Sequence, residues 1–301
     1  VAVRLPHFSP KQIADALQVS ESSIKRWCDR GDIPTIRTLG GHRRITIEGL
    51  QQFLRDTDRV LVNPDVLGLP SLAPGRDDRI PGEQDPNQCE FRCALVAGDF
   101  EKCWKLLENR IETGVSRWQA AESLITDAMY GIGEAWGCNE LDVYQERRAC
   151  DLCIKLIVRL VEQIAAPSKG APVAIGGAPE GDHYQLPTAL VKLALREAGW
   201  KAINLGSNLP LDSFLQAAHD YKAELVWMSI SAIQEPERFI AEENRLARLL
   251  GDHVSLFIGG QALSVSFRAR LRYTVCCESL RQIVDFSTIT RSSSPHERVV
   301  R

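Results

Sequence analysis

No apolar run in this 301-residue sequence reaches the roughly 18 residues that a membrane-spanning helix needs, so no membrane partner is expected. Its first residues lack a basic start followed by an apolar core, so no secretory signal is expected and the expected location is the cytoplasm. No Walker phosphate-binding loop, Gly-x-Ser-x-Gly elbow or His-Glu-x-x-His pair occurs, which leaves catalysis with little support. Charge of one sign is not in excess, with 36 basic and 39 acidic residues and a net charge of −3. Nine cysteines stand at irregular spacing, which in a chain this long fits reduced thiols better than a disulfide framework. With 44% hydrophobic and 25% charged residues, the composition excludes chain-wide disorder, collagen-like structure and low-complexity repeats. The length allows two or three domains.

The near-neutral total conceals an asymmetry. Residues 1–55 carry nine Lys/Arg against five Asp/Glu, a balance of +4, and the remaining 246 residues carry −7. A small basic module ahead of a large acidic body points the front end at a polyanion. Ser9-Pro10-Lys11-Gln12 places Ser at a helix N-cap, Pro at the first helical position and Gln three residues after the cap, a capping-box start. Ile13 and Leu17, four apart, give that helix one apolar face. Val19-Ser20 breaks it, and Ser20 caps a second helix that buries Ile24, Trp27 and Cys28 and ends in a left-handed turn at Gly31. Two short helices joined by about three residues read as a helix-turn-helix whose second member is available to the major groove. Ser22, Ser23, Lys25 and Arg26 fall outside its apolar face and are the expected DNA-facing residues. Between Ile36 and Ile45, Gly40-Gly41 separates two β-suited arms, a hairpin signal. The hairpin is expected as a wing that presents Arg37, His42, Arg43 and Arg44 to phosphates, with a helix over Glu48–Leu54 closing the unit. A merely solvated face is the plain alternative for the arginine pair, and the combination of features carries the DNA reading.

Residues 8–54 resemble the MerR family of winged-helix transcription regulators through the Ser-Pro-Lys-Gln-Ile-Ala start, the Ile-Lys-Arg-Trp helix and the Gly-Gly-His-Arg-Arg wing. The resemblance implies that Lys25 and Arg26 face the groove while Arg37, Arg43 and Arg44 grip the backbone. It also implies a dimer or higher oligomer on a double-stranded operator, because one module contacts too few phosphates for tight binding.

Residues 55–87, with Pro64, Pro70, Pro74, Pro81 and Pro86 and no periodicity, are expected to be a semi-rigid linker. Helical spacing then dominates from Gln88 to Ala166. Apolar residues recur at three- and four-residue steps over Cys89–Ala97, Phe100–Thr113, Ser116–Glu134 and Val143–Ala165, with Gly98-Asp99 and Gly114 as breaks. This predicts a four-helix bundle over residues 88–166. Gly133-Glu134-Ala135-Trp136 is followed, ten residues after the Trp, by Glu146. A Trp at a helix end more often fills a core than covers a ligand.

Strands and helices alternate in the rear of the chain. Strands are predicted over Ala171–Gly176, Ala202–Leu205, Leu225–Ser231 and Ser255–Ile258, and helices over Leu186–Ala198, Leu211–Tyr221 and Glu237–Leu250. That alternation predicts a C-terminal α/β domain at residues 170–287 with a doubly wound, Rossmann-like parallel sheet, which binds ligands at the carboxyl ends of its strands. The loop Glu180-Gly181-Asp182-His183-Tyr184, Ser229, Ser231 and the turn Gly259-Gly260 collect at that edge. A lone loop histidine is usually just surface. His183 directly follows the first strand, so its imidazole is placed to ligate a metal centre, with Asp182 or Glu180 to fix its tautomer. The paired glycines let backbone approach a bulky ligand closely.

A helical bundle followed by this α/β domain resembles the cobalamin-binding module of methionine synthase and corrinoid proteins. With the MerR-like head, residues 8 to about 286 are similar to the light-responsive, adenosylcobalamin-dependent repressors of carotenoid genes. The resemblance implies cobalamin, most of all adenosylcobalamin, as the cofactor. It makes His183 the lower cobalt ligand, Trp136 the cover of the upper face, and Gly259 and Gly260 the lining of the nucleotide tail. The family loop reads acid, any residue, His, two residues, Gly, and here Gly181 stands at the acid and Leu186 at the Gly, where it crowds the buried tail. The bundle motif reads Trp, nine residues, Glu-His, and here Trp136 leads to Glu146-Arg147, without the histidine that becomes an upper ligand after photolysis.

Cys150-x-x-Cys153 lies within a predicted helix near Ile154 and Ile157, and a zinc site there needs two more ligands, for which Cys89 and Cys93 are candidates. Small core residues are the plainer reading, and Cys276-Cys277 is expected to be structural as well. Residues 288–301, rich in Ser and Arg, are expected to form a disordered tail. The leading expectation is therefore a one-component transcription regulator with no enzymatic activity. Its rivals are a corrinoid carrier or methyltransferase subunit, and a DNA-binding regulator whose rear domain is a ligand-free interaction scaffold.

Overall fold

The computed structural model describes residues 8–17, 19–37, 43–57, 86–137 and 141–293. The expected hairpin turn at Gly40-Gly41, His42 and most of the expected linker lie outside the described residues. The chain divides into two compact units, Val1–Gly82 with Thr288–Arg301, and Glu83–Ser287.

In the first unit, helix α1 spans Pro10–Leu17 and helix α2 spans Glu21–Arg30. The capping box forms: Ser9 N donates to Gln12 Oε1 at 2.9 Å, and Gln12 N donates back to Ser9 Oγ at 3.3 Å. Ser20 caps α2 by accepting from Ser23 N, and Gly31 ends it at φ +84°, a left-handed geometry that a side chain resists. Strands β1 (Thr35–Arg37) and β2 (Arg43–Ile45) pair antiparallel, with Ile36 opposite Arg44 and Arg37 opposite Arg43. Helix α3 (Ile47–Asp56) is longer than the predicted Glu48–Leu54. Phe8, Ile13, Ile24, Ile33, Ile45, Leu50 and Phe53 are buried together as the core, and Trp27 lies beside Phe53 with the rings tilted by 38° and their centroids 4.9 Å apart.

The second unit opens with helices α4 (Pro86–Ala97) and α5 (Phe100–Glu112). A long third rod follows, made of α6 (Arg117–Ala121), a π-helical turn at Glu122–Thr126 and α7 (Asp127–Gly137). Helix α8 (Val143–Glu162) completes the bundle. Sequence periodicity reads the third rod as one helix, and the π turn is the difference. It inserts one wide turn at Glu122, whose carboxylate accepts from Leu280 N at 3.0 Å. Phe91, Leu95, Leu107, Ile132, Leu156 and Leu160 are fully buried between the rods.

The α/β part alternates β3 (Val173–Gly177), α9 (Leu186–Glu197), β4 (Lys201–Asn204), α10 (Leu211–Asp220), β5 (Leu225–Ser229), α11 (Pro236–Leu250) and β6 (Ser255–Gly259). It then adds α12 (Val265–Arg268), β7 (Val275–Cys277) and α13 (Leu280–Ser293). All strands are parallel in the order β4-β3-β5-β6-β7, so the chain direction across the sheet reverses beside β3. The sequence pattern predicts four of these strands and not β7. The expected disordered tail also needs correction, because α13 runs through Thr288 to Ser293, with Phe286, Ser287 and Thr290 buried; residues 294–301 lie outside the described residues.

One face of the sheet, with Ile175, Val226, Met228 and Ile258, packs on Leu211 and Phe214 of α10 and Phe239 and Leu246 of α11. The other face carries α9, which also meets α6 and α8 of the bundle. Bundle and sheet domain cap one another there. Glu197 of α9 accepts from Arg117 N at 3.1 Å and Trp118 N at 3.0 Å, at the open amino end of α6. Glu122 does the same for α13. A carboxylate on orphan helix N–H groups gains from both hydrogen bonding and the helix dipole, so these contacts fix the bundle's orientation on the sheet.

Glu243 of α11 is fully buried, its Oε2 accepts from Arg272 N at 3.0 Å, and its Oε1 has no partner among the described residues. Burial pushes its carboxyl up to about 7. A carboxyl raised in the folded state binds its proton more tightly there than in the unfolded chain. Its contribution is therefore complete below about pH 4.5 and lost as pH rises through about 7. We expect the melting temperature of Glu243→Gln to vary less than that of the parent between those limits. Parallel melting curves at the two pH values from both proteins would refute this.

Candidate functional site

Helix α2 brings Ser22, Lys25, Arg26 and Asp29 onto one exposed stripe, at steps of three and four residues, with half-buried Ser23 beside it. Ser22 and Ser23 each place Oγ 2.9 Å from Ser20 Oγ, and Arg26 Nη2 reaches Ser23 Oγ at 3.5 Å. Lys25 pairs with Glu21 at 2.9 Å. Arg43 of β2 does not project freely: its Nε and Nη2 both reach Asp29 Oδ1, at 3.2 and 2.5 Å. The ion pair ties the hairpin to α2. Arg44 is half-buried, and Arg37 closes the ladder opposite Arg43.

At the sheet's carboxyl edge Asp182 holds the loop after β3. It is fully buried, and its two carboxylate oxygens accept from three backbone N–H groups: Tyr184 N on Oδ1 at 2.9 Å, and Ser231 N and Ala232 N on Oδ2 at 2.5 and 3.1 Å. Asn208 adds a bond from its N–H to the Asp182 carbonyl and receives one from Gly181 N. Glu180 is paired with Arg238 at 2.9 Å. The sequence points to Asp182 or Glu180 as the group that fixes the His183 tautomer, but neither is hydrogen-bonded to it among the described residues: backbone donors hold Asp182 and Arg238 pairs with Glu180. His183 is exposed and has no hydrogen-bond partner among the described residues, and Tyr184 beside it is 54% exposed. Gly181 sits at φ +83°, so the loop's own geometry favours glycine where the motif has an acid.

Ser229 is buried at the end of β5, and Ser231 is half-buried beyond it. Gly259 and Gly260 answer to the chain itself. A Cβ on Gly259 would lie 2.6 Å from the Cys277 carbonyl oxygen, and Gly260, at φ +127°, packs on the Ile230 backbone. Trp136 lies in the last turn of α7, its side chain outside the described residues. Glu146 is half-buried in the first turn of α8, with Arg147 exposed next to it.

Sequence reasoning missed Trp227. Strand register places Asn204, Gly176, Trp227, Phe257 and Val275 in one row across the sheet, on the α9 face. The Trp227 indole lies over Gly176, where any Cβ would collide with the ring. Its Nε1 donates to Thr188 Oγ1 at 2.9 Å, and Thr188 Oγ1 donates to Asn204 Oδ1 at 3.2 Å. Trp227 and Thr188 are 2% and 0% exposed. His183 stands exposed on the loop after β3, at the carboxyl edge of the same sheet. The interior beneath it is filled by protein.

Cys150 is half-buried with Sγ 4.0 Å from Glu146 Oε1, Cys153 is buried, and desolvation pushes both thiols up. Cys89 and Cys93 are exposed on α4, Cys276 and Cys277 are buried, and no group of three or more His, Cys, Asp or Glu able to hold a metal ion occurs among the described residues. No helix among those residues is long and apolar enough to cross a membrane.

The helix-turn-helix domain family matches residues 8–58, and two families described as B12 binding domains match residues 90–160 and 172–278. The chain thus joins a helix-turn-helix domain to a cobalamin-binding architecture of helices and a parallel sheet. A trimethylamine corrinoid protein of Methanosarcina barkeri is 23% identical over 195 residues, covering 64% of this chain and 90% of that protein. The HTH-type transcriptional repressor CarA of Myxococcus xanthus is 28% identical over 99 residues, 33% of this chain and 34% of the repressor. Among solved structures, the monomethylamine corrinoid protein of Methanosarcina barkeri shares the fold, with a TM-score of 0.51 at 19% identity, covering 66% of this chain and 95% of that one.

Proposed function

We propose that this chain is a one-component transcription regulator rather than an enzyme. Residues 1–55 act as a MerR-type winged helix on a double-stranded operator, residues 56–87 as a linker, and residues 88–166 with 170–287 as a corrinoid-sensing module that sets self-association as a dimer or tetramer. The observation that carries this reading is the polar stripe Ser22, Lys25, Arg26 on α2 flanked by the arginine-bearing hairpin, in a chain that continues into a B12-binding architecture. Arg37, His42, Arg43 and Arg44 would hold the phosphate backbone. A cobalamin, adenosylcobalamin by the likeness to carotenoid repressors, would supply a metal centre. His183 would ligate it from its exposed loop, Asp182 would fix the loop, and Ser229, Ser231, Gly259 and Gly260 would line the edge. Trp136 and Glu146 would face it from the bundle. Because Glu197 and Glu122 clamp bundle to sheet, a ligand lodged at that edge changes which surfaces remain for self-association, and so changes avidity for DNA.

The alternative, a corrinoid carrier or methyltransferase subunit, draws on the match to the trimethylamine corrinoid protein along 90% of that protein's length. The two separate in one experiment. Purified protein is mixed in the dark with adenosylcobalamin, desalted, read by absorption, and then run in a mobility shift on DNA upstream of its own gene. A retained cobalamin spectrum that His183→Ala alters, together with a ligand-dependent shift, is expected. A cobalamin spectrum without any DNA shift leaves the carrier. A DNA shift with a colourless protein leaves a ligand-free scaffold. A retained spectrum that His183→Ala leaves unchanged but Tyr184→Phe alters assigns the metal ligand to Tyr184.

A further inference from the structure

The crevice beside β3 is where a doubly wound sheet ordinarily admits a ligand, because the strand order turns there and the loops on either side splay apart. In this chain the loops after β3 and β5 are held together by Asp182, and the space between α9 and the sheet below them contains an indole. Three features show that the indole is built in rather than incidental. Gly176 leaves open the surface on which the ring lies. Thr188, in the first turn of α9, satisfies its N–H, and Asn204 satisfies Thr188 from the neighbouring strand. Phe257 and Val275 wall the same row on the far side, 2% and 0% exposed. An indole has nearly the size and shape of a benzimidazole, the flat bicyclic base that ends the nucleotide tail of cobalamin. Ser229 and Gly259 stand at the mouth of the crevice on this same face, one row above Trp227 and Phe257.

We propose that Trp227 is a specificity residue that fills the tail site with the protein's own side chain, so that the module takes a corrin ring at its exposed loop and excludes an inserted base. This rests on the corrinoid reading above. It predicts that a corrinoid stripped of its nucleotide binds as well as the complete one.

The test titrates the full-length protein with aquacobalamin and with diaquacobinamide, following the shift of the corrin absorption bands. In the parent the two affinities agree within about threefold, and in Trp227→Ala, or Trp227→Leu where alanine prevents folding, cobalamin gains about tenfold over cobinamide. Free 5,6-dimethylbenzimidazole raises the melting temperature of the Trp227 variant and leaves the parent unchanged, a readout that needs no corrinoid. Parent protein that binds cobalamin about tenfold tighter than cobinamide overturns the proposal, as does a folded variant that gains nothing from the base. If the parent takes neither corrinoid while the variant takes cobalamin, the plug stands and the corrinoid reading of the native chain falls. If neither protein takes either corrinoid and the base stabilises neither, both fall.

Discussion

Replacing Asp182 with alanine is expected to lower the stability of the Glu83–Ser287 unit by about 3–5 kcal/mol, as hydrogen bonds to a charged acceptor contribute about 1.5–3 kcal/mol each and some of the freed donors regain water. The carboxylate is fully buried and accepts from Tyr184, Ser231 and Ala232, so its removal strands donors on both loops at once. For a unit of this size the melting temperature should fall by roughly 10 °C. Asparagine is a poor substitute, because its amide turns a donor toward at least one of the same N–H groups. Hydrogen exchange separates this from general destabilisation. Protection should be lost first at 181–184 and 231–232, while β5 and β6 keep theirs until global unfolding. A melting temperature within about 2 °C of the parent would show that the loops are held by other means.

The same residue shows how far the sequence can be read. Alternating apolar runs and Gly/Pro breaks give the strand–helix order of the rear domain, and Ser9 and Ser20 mark helix starts because a cap depends on local chemistry alone. With His183 in the histidine position of the motif, Gly181 stands in the acid's place. The acid that is buried and bonded to both loops is Asp182. Counted from Asp182, the same spacing sets Tyr184 at the histidine and Pro187 at the glycine. Only tertiary structure reveals which acid meets backbone donors some 50 residues away in the chain. Trp227 was equally silent. Within the apolar run Leu225–Ser229 nothing distinguishes a core tryptophan from its neighbours until strand register sets it against Gly176. The strand Val275–Cys277 escaped because three residues carry too short a pattern, and the π turn because widening a helix by one residue leaves the apolar spacing almost intact.

The double substitution Arg43→Ala, Arg44→Ala is expected to weaken operator binding roughly 100-fold near 0.1 M salt, since each phosphate contact contributes about 0.9 to the slope of log K against log salt. The slope itself should fall by about 2. Asp29 makes the argument sharper. In the free protein it holds Arg43 through two nitrogens on one oxygen, so the guanidinium is aimed alongside α2 but partly neutralised. Alanine at position 43 therefore removes a cation and also leaves an unpaired carboxylate on the stripe proposed to face DNA. Asp29→Asn acts in the opposite direction. It releases Arg43, removes one negative charge from that stripe, and should raise the salt slope by about 1. Because the hairpin then loses its tie to α2, the gain should be larger on nonspecific than on operator DNA, and the ratio between them should shrink. Salt-dependent mobility shifts of the two variants on both DNAs measure all four quantities. An unchanged slope for the double arginine variant would remove the hairpin from the interface. An Asp29→Asn protein that binds more weakly on every DNA would show that orienting Arg43 matters more than freeing it.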